Sequence, residues 1–436
     1  MSFRGRKKPS GFQSLKKRVL FVVFGLIIFR FGVHIPIPYI KAKQLLALME
    51  IDYSTSNGLF KIFNLFSGGA LTKLSIFSLG IMPYISSSII FQVLQSISPK
   101  LIEMKKEGYA FQSRINQYVK YLSVLISSLQ ALGIASYIYR QTDLVSIDSI
   151  FLFYSSSVMS MVAGSMFLVW LGEQITDKGV GNGTSLFIFI GIVSNMPFEI
   201  ANTFEQAYQG HISIYVIWFL ILMFILVVFS VTFVERAQRL IIVNYPKRQQ
   251  GRKMYMSQSS YLPLKLNIVG VVPAIFASSV LLIFGMLCTL IANIAPYSWI
   301  LSIKHLIQPG SSLYTLIFSV SVVFFSFFYS NLVFNPKETA DNIKKSGAFV
   351  SGIRPGSQTV RYIKSIMNKL VLISSLYIVL ICLIPVITTC IWKNSFIFSF
   401  GGTSLLIMVT VVIDFMSQIQ SYVMSMKYDS LLKKRM

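Results

Sequence analysis

The chain has 436 residues, of which 54% are hydrophobic and only 12% charged, whereas ordinary soluble domains carry about 25% charged residues. With a mean hydropathy of +0.67, this excludes a soluble globular protein and places the chain in the membrane class. Its net charge of +24 would suggest a nucleic-acid partner in a soluble protein, but in a membrane chain excess Lys and Arg fix topology, so their placement decides. Cys288, Cys382 and Cys390 lie in or beside apolar stretches without metal-ligand spacing. No disulfide framework, zinc site or cofactor is expected.

A helix needs about 20 mostly apolar residues to cross roughly 30 Å of hydrocarbon, because lipid offers its backbone no hydrogen-bond partner. Apolar runs bounded by charges and turn residues predict about ten spans, near 19–34, 74–96, 118–140, 150–172, 184–202, 211–234, 266–293, 312–333, 369–390 and 400–423. The first follows a basic segment without a small-residue cleavage signature and is read as retained. With the N-terminus in the cytoplasm, the inner segments 1–18, 97–120, 173–183, 235–265, 335–369 and 424–436 hold 7, 5, 1, 7, 7 and 4 Lys plus Arg, 31 in all. The outer side holds 7, and Arg30 lies within the first span. This asymmetry places both termini inside.

Ten spans divide into two sets of five, and an odd number per set turns the second upside down relative to the first. Inverted repeats place a functional path at their interface near the midplane. The expected organisation is a cytoplasmic segment 1–18, a first half 19–202, a second half 211–423 with basic loops 235–265 and 335–369, and a tail 424–436.

The stretch NGLFKIFNLFSGGAL from Asn57 to Leu71 is helical in pattern but too short to cross, and Ser67, Gly68 and Gly69 break it before the next span. It reads either as a helix dipping into an outer cavity and swinging on its glycines, or as an interfacial helix on the outer surface, and pattern alone favours the second. In GIMPYIS at 80–86, Pro83 is expected to kink the second span. Ile81 and Ile85 share a face, as do Thr184 and Ile188 in the fifth.

The cytoplasmic runs VNYPKRQQGRK at 243–253 and NPKETADNIKKSGAFVSGIRPG at 335–356 are long, basic and glycine-containing. Topology needs few charges, so such loops suit an acidic partner. GEQITDKGVGNG at 172–183 fails as a phosphate loop, lacking a preceding strand and the terminal Lys-Ser/Thr, and reads as a turn between spans. Neither an HExxH pair nor a G-x-S-x-G elbow is present, so no enzyme activity is expected.

Taken in order, these motifs resemble the SecY family, the central pore subunits of the bacterial Sec translocation channel. The likeness runs end to end, through FRFGVHIPIP at 29–38, NLFSGGAL at 64–71, GIMPYIS, GEQITDKGVGNG, both basic loops, PAIFASS at 273–279 and FGGTSLLI at 400–407. It implies an all-α integral membrane protein of ten transmembrane helices in two inverted five-helix halves, a clamshell with a short plug helix, resident in the bacterial inner membrane. The implied plug is 60–71, with Phe63, Asn64, Leu65, Phe66, Gly68 and Gly69. The aliphatic constriction maps onto Ile81, Ile85, Thr184, Ile188, Ile275 and Ile407. A narrow ring of this kind dewets and bars ions while binding no particular peptide.

Thr184 stands where the family usually has isoleucine. Its hydroxyl either faces the pore or bonds back to a carbonyl one turn earlier. The implied lateral gate is lined by Ser86, Gln130 and Asn267. The partners implied are the small subunits SecE and SecG, the motor ATPase SecA and the translating ribosome, with Arg252, Lys253 and Arg354 as contact positions. Unfolded polypeptides would cross the membrane, and apolar segments would leave sideways into lipid. The alternative is a secondary transporter with inverted repeats, for which the spans hold few ionisable residues beyond Arg30 and Asp414.

Overall fold

The computed structural model describes residues 11–40, 64–98, 109–139, 149–210, 213–245, 259–294, 311–392 and 402–435, the short pieces 248–250 and 253–255, and positions 101 and 104. Its long helices are α1 (Gly11–Gly32), α2 (Met82–Ile97), α3 (Tyr109–Tyr139), α4 (Ile150–Lys178), α5 (Gly183–Tyr208), α6 (Ile214–Arg236), α7 (Val272–Ile294), α8 (Ser312–Val333), α10 (Ser357–Trp392) and α11 (Gly402–Arg435), with the short α9 (Pro336–Lys345) between α8 and α10. Among the described residues, seven helical stretches are long and apolar enough to cross a bilayer.

Burial identifies the solvent these helices expect. In α6 only Ile217, Leu220, Val227 and Val231 are buried, while Trp218, Leu222 and Phe229 are 68%, 63% and 71% exposed. In α8 the buried residues Tyr314, Phe318, Val322, Ser326 and Ser330 recur every fourth position and form one stripe. Leu316, Val320 and Phe324 face outward. Helices apolar all round that pack through a narrow stripe fit a lipid environment.

Two expectations about the second span are corrected. Regular helix starts only at Met82, and residues 68–80 run as successive turns. Pro83 therefore sits in the first turn of α2, where its missing N–H has no helical partner to lose, and no mid-helix kink arises.

The contacts divide the chain into two compact units, one of 1–205, 279–311 and 411–436, the other of 206–278 and 312–410. In the first, α1, the turns before α2, α4 and α5 share a core of Val22, Phe29, Phe77, Ile81, Leu168, Ile175 and Phe187, completed by Ile85 of α2 and by Val411 and Phe415 of α11. Phe29 packs on Phe187 with ring centroids 5.2 Å apart. The N-terminus of α1 is tied to α11, as Arg18 lies over the Tyr422 ring at 5.2 Å.

In the second unit the basic loops contain a sheet that the sequence reading did not anticipate. Strands β1 (Gln238–Asn244), β4 (Ser259–Lys265) and β5 (Phe349–Val350) pair antiparallel in the order β4-β1-β5, and β2 (Arg248–Gln250) pairs with β3 (Lys253–Tyr255). Ile241 and Val243 alternate inward along β1. The core of this platform comprises Ile241, Leu264, Ala340, Val350, Ile363, Ile366, Met367 and Leu370. In α9, Asn335 caps by accepting from the Lys337 N–H at 3.2 Å, with Pro336 next and Lys344 and Lys345 in the last turn. Each choice satisfies or complements an exposed helix end.

Candidate functional site

In the first unit, the expected plug segment is folded in from Asn64 onward, whereas Phe63 lies outside the described residues. A helical turn at 64–67 ends in Gly68 and Gly69 with φ of 71° and 81°, the left-handed region that glycine enters without strain. Asn64 organises the turn. Its carbonyl accepts from the Gly69 N–H at 3.0 Å and from the Ser67 hydroxyl at 3.2 Å, and its side-chain oxygen accepts from the Thr72 N–H at 3.1 Å. Asn64, Phe66, Ser67, Ala70 and Leu71 are all buried, and Leu65 is half-buried.

The glycines also permit a close approach to α5. A Cβ on Gly68 would lie 3.0 Å from the Gly191 Cα, and one on Gly69 would lie 3.0 Å from the Asn195 side-chain oxygen. From α1, Arg30 donates to the Gly68 carbonyl at 3.4 Å. Lys73 Nζ lies 2.7 Å from His34 Nε2, and His34 Nδ1 lies 3.0 Å from the Arg30 carbonyl. An ammonium only donates, so in this contact Nε2 accepts and Nδ1–H donates. Burial and the Arg30 guanidinium push Lys73 below the usual lysine range.

Ile81, Ile85 and Ile188 line one apolar concavity together with Phe29, Phe66 and Phe187. Thr184 is not among the residues lining it. Lying in the first turn of α5, it has no carbonyl one turn earlier in its own helix. Its hydroxyl donates instead to the Asn182 side-chain oxygen at 2.8 Å, which also accepts from the Thr184 N–H at 3.1 Å. The Asn182 carbonyl accepts from the Leu186 N–H at 3.0 Å, so Asn182 is the N-cap of α5.

Ser86 on α2 and Gln130 on α3 are 3% and 7% exposed, and the Gln130 side-chain oxygen has no hydrogen-bond partner among the described residues. These two helices pack through Phe91 and Tyr118, with rings 6.3 Å apart. Ile275, Ile407 and Asn267 belong to the second unit; Ile275 is half-buried, and Ile407 and Asn267 are each 2% exposed. Asn267 donates to Glu235 at 2.6 Å and accepts from the Gly270 N–H at 3.0 Å.

Arg252 lies outside the described residues, and Lys253 opens β3 opposite Gln250. Arg354 is exposed between Gly352 and Gly356, whose φ values are 78° and 111°. Sequence reasoning missed Asn182, Glu235, Gly191 and Asn195. The Asn-Gly-Thr ahead of an apolar run was a legible cap signal; the other three depend on tertiary approach. Among the described residues no group of His, Cys, Asp or Glu is placed to hold a metal.

The SecY family profile matches residues 75–416. The protein translocase subunit SecY of Escherichia coli K12 is 49% identical over 426 residues, covering 97% of this chain and 95% of that protein. Its counterpart in Vibrio cholerae is 47% identical over 433 residues, covering 98% and 96%. Two solved structures share the fold at low identity. A SecY protein whose plug domain is described as stabilising the closed translocation channel and maintaining a membrane seal aligns with TM-score 0.67 and 18% identity, over 98% of this chain and 96% of that one. Sec61 in the canine ribosome-channel complex aligns with TM-score 0.64 and 17% identity, over 98% and 95%. With a profile spanning most of its length and close to half its residues shared with full-length relatives, this chain belongs to the SecY family.

Proposed function

We propose that this chain is the pore subunit of a protein-conducting channel in the bacterial inner membrane, passing unfolded polypeptides across it and releasing apolar segments sideways into lipid. The observation that carries the reading is the seating of Asn64–Leu71, buried against α5 beside Ile81, Ile85 and Ile188. An interfacial helix would keep a polar face outward, whereas Asn64 and Ser67 are 5% and 0% exposed. The segment is therefore assigned as the plug. On the family likeness, Ile81, Ile85, Ile188, Ile275 and Ile407 are assigned to the dewetting ring. Thr184 contributes to the α5 cap and leaves that ring.

Ser86, Gln130 and Asn267 are assigned to the lateral gate on the family likeness. The inverted halves are assigned to residues 19–202 and 211–423, with both termini in the cytoplasm. The chain is no enzyme: the driving force comes from SecA or the translating ribosome, docked at the basic platform through Arg252, Lys253 and Arg354, and SecE and SecG complete the complex. The test is reconstitution. Proteoliposomes holding the chain with SecE and SecG should import a secretory precursor when the motor ATPase and ATP are added. Import of a small solute by the chain alone, with no precursor transport, would favour a secondary transporter.

A further inference from the structure

The membrane end of the cytoplasmic ribbon is closed by a side-chain clasp. Strands β1 and β4 pair from Asn244 opposite Ser259 to Gln238 opposite Lys265, and the Leu266 N–H extends the ladder to the Ala237 carbonyl at 2.8 Å. Just beyond it, Asn267 Nδ2 donates to Glu235 Oε1 at 2.6 Å, a short, charge-assisted hydrogen bond. The Asn267 side-chain oxygen is held from the other side by the Gly270 N–H at 3.0 Å. With both ends of the amide engaged, its plane is fixed and a single N–H remains, pointing in one direction.

The position of Glu235 is itself informative. It lies in the last turn of α6, where the carbonyl ends of the helix disfavour an anion. The helix end is therefore an unfavourable place for its charge, and its bond to an Asn267 that is 2% exposed is one compensating contact. The ribbon above is braced by Ile241, Leu264, Val350 and Ile363. A load on that platform thus reaches Asn267 through paired backbone and one clasp.

We propose that Glu235 is a positioning residue for Asn267, joining the partner-docking ribbon to the gate. This rests on the assignment of Asn267 to the lateral gate. The carboxylate accepts one amide proton and so directs the other; without it, Asn267 is held only by Gly270 and loses its fixed orientation.

The test uses the assembled complex in inverted membrane vesicles and a host protein carrying a segment of graded leucine content, scoring by protease protection whether the segment is inserted or translocated. Glu235→Ala and Asn267→Ala should each shift the inserted-to-translocated ratio about threefold in the same direction, the scale of one average hydrogen bond within a membrane. The double variant should shift it no further. Glu235→Gln keeps an accepting oxygen and should stay near wild type. Asn267→Asp, which opposes two carboxylates and leaves no N–H to direct, should behave like Asn267→Ala and should not be restored by Glu235→Gln. A shift for Asn267→Ala without one for Glu235→Ala overturns the positioning role and leaves the gate intact. No shift for either removes Asn267 from the gate and this inference with it. A change confined to the thermal stability of the purified complex makes the clasp a structural staple and overturns the proposal.

Discussion

The Thr184 hydroxyl donates to the Asn182 side-chain oxygen at 2.8 Å, and Asn182 in turn caps α5. This pairing accounts for the one departure from the family's aliphatic constriction. A hydroxyl aimed along the cap offers water no foothold among Ile81, Ile85 and Ile188. The methyl group of Thr184 faces α4, where a Cβ on Gly172 would meet it at 3.6 Å.

Thr184→Ile should therefore leave resting ion leak in planar bilayers unchanged, because the seal is made elsewhere. The effect should fall on stability, with a loss of about 0.5–1.5 kcal/mol from the missing hydrogen bond. Asn182→Ala should cost about 1 kcal/mol as a lost cap. A lower leak in Thr184→Ile, at unchanged thermal stability, would return this side chain to the pore wall.

Seating of the segment proposed as the plug depends on the absence of a side chain at Gly191 as much as on Gly68. A Cβ at Gly191 would lie 3.1 Å from the Phe66 carbonyl oxygen and 3.3 Å from the Gly68 nitrogen, both backbone atoms that cannot rotate away. Gly191→Ala should raise the conductance of the idle channel even though alanine favours the helix by about 1 kcal/mol. Deletion of residues 60–71 should raise it too, and Gly191→Ala in the deleted chain should add nothing. An unchanged conductance in both single variants would remove the plug role from this segment.

Most helices were legible because a lipid-facing helix declares itself by composition. The α6 sequence is apolar nearly throughout, and its expected span of 211–234 lies close to the observed Ile214–Arg236. Elements whose reasons lie outside their own sequence were harder to read. Residues 74–80 continue into the apolar run of the expected span, yet Gly68, Gly69 and Gly80 at positive φ turn the chain before Met82 starts a helix. The β1–β4 ribbon was hidden because charges suggested a loop, although Ile241 and Val243 alternate with outward neighbours. The site positions proposed on α2 and α5 rest on family likeness, since their spacing alone is that of ordinary packing residues. Their supports, Gly191 against the Gly68 backbone and Glu235 against Asn267, join positions far apart in sequence and leave no local signal.

The proposed orientation rests on the distribution of cations. The segments expected in the cytoplasm carry 31 Lys and Arg against 7 on the opposite side, the asymmetry that fixes topology during insertion. An alkaline phosphatase reporter fused within 32–73 should be active and one within 235–265 inactive. The reverse pattern would invert the whole assignment and place the basic platform outside.

Among the proposed contact positions, Arg354 is the one whose presentation is described best. Its backbone is pinned, since the Thr359 hydroxyl, on a residue 2% exposed, donates to the Arg354 carbonyl at 2.9 Å. Its side chain is exposed between two glycines at positive φ. A guanidinium held on a fixed turn can meet a carboxylate or phosphate bidentately, which lysine cannot copy. Arg354→Glu should therefore reduce precursor translocation by roughly 30-fold or more, the scale of losing a close charge pair at an interface. Arg354→Lys should retain part of it. Both variants should insert and assemble normally, because an exposed substitution away from packed contacts moves stability by about 0.5 kcal/mol or less. Pulse-labelled export of a secretory precursor, measured beside the amount of assembled complex, decides the matter: normal export by a stably expressed Arg354→Glu variant would remove this residue from the docking surface.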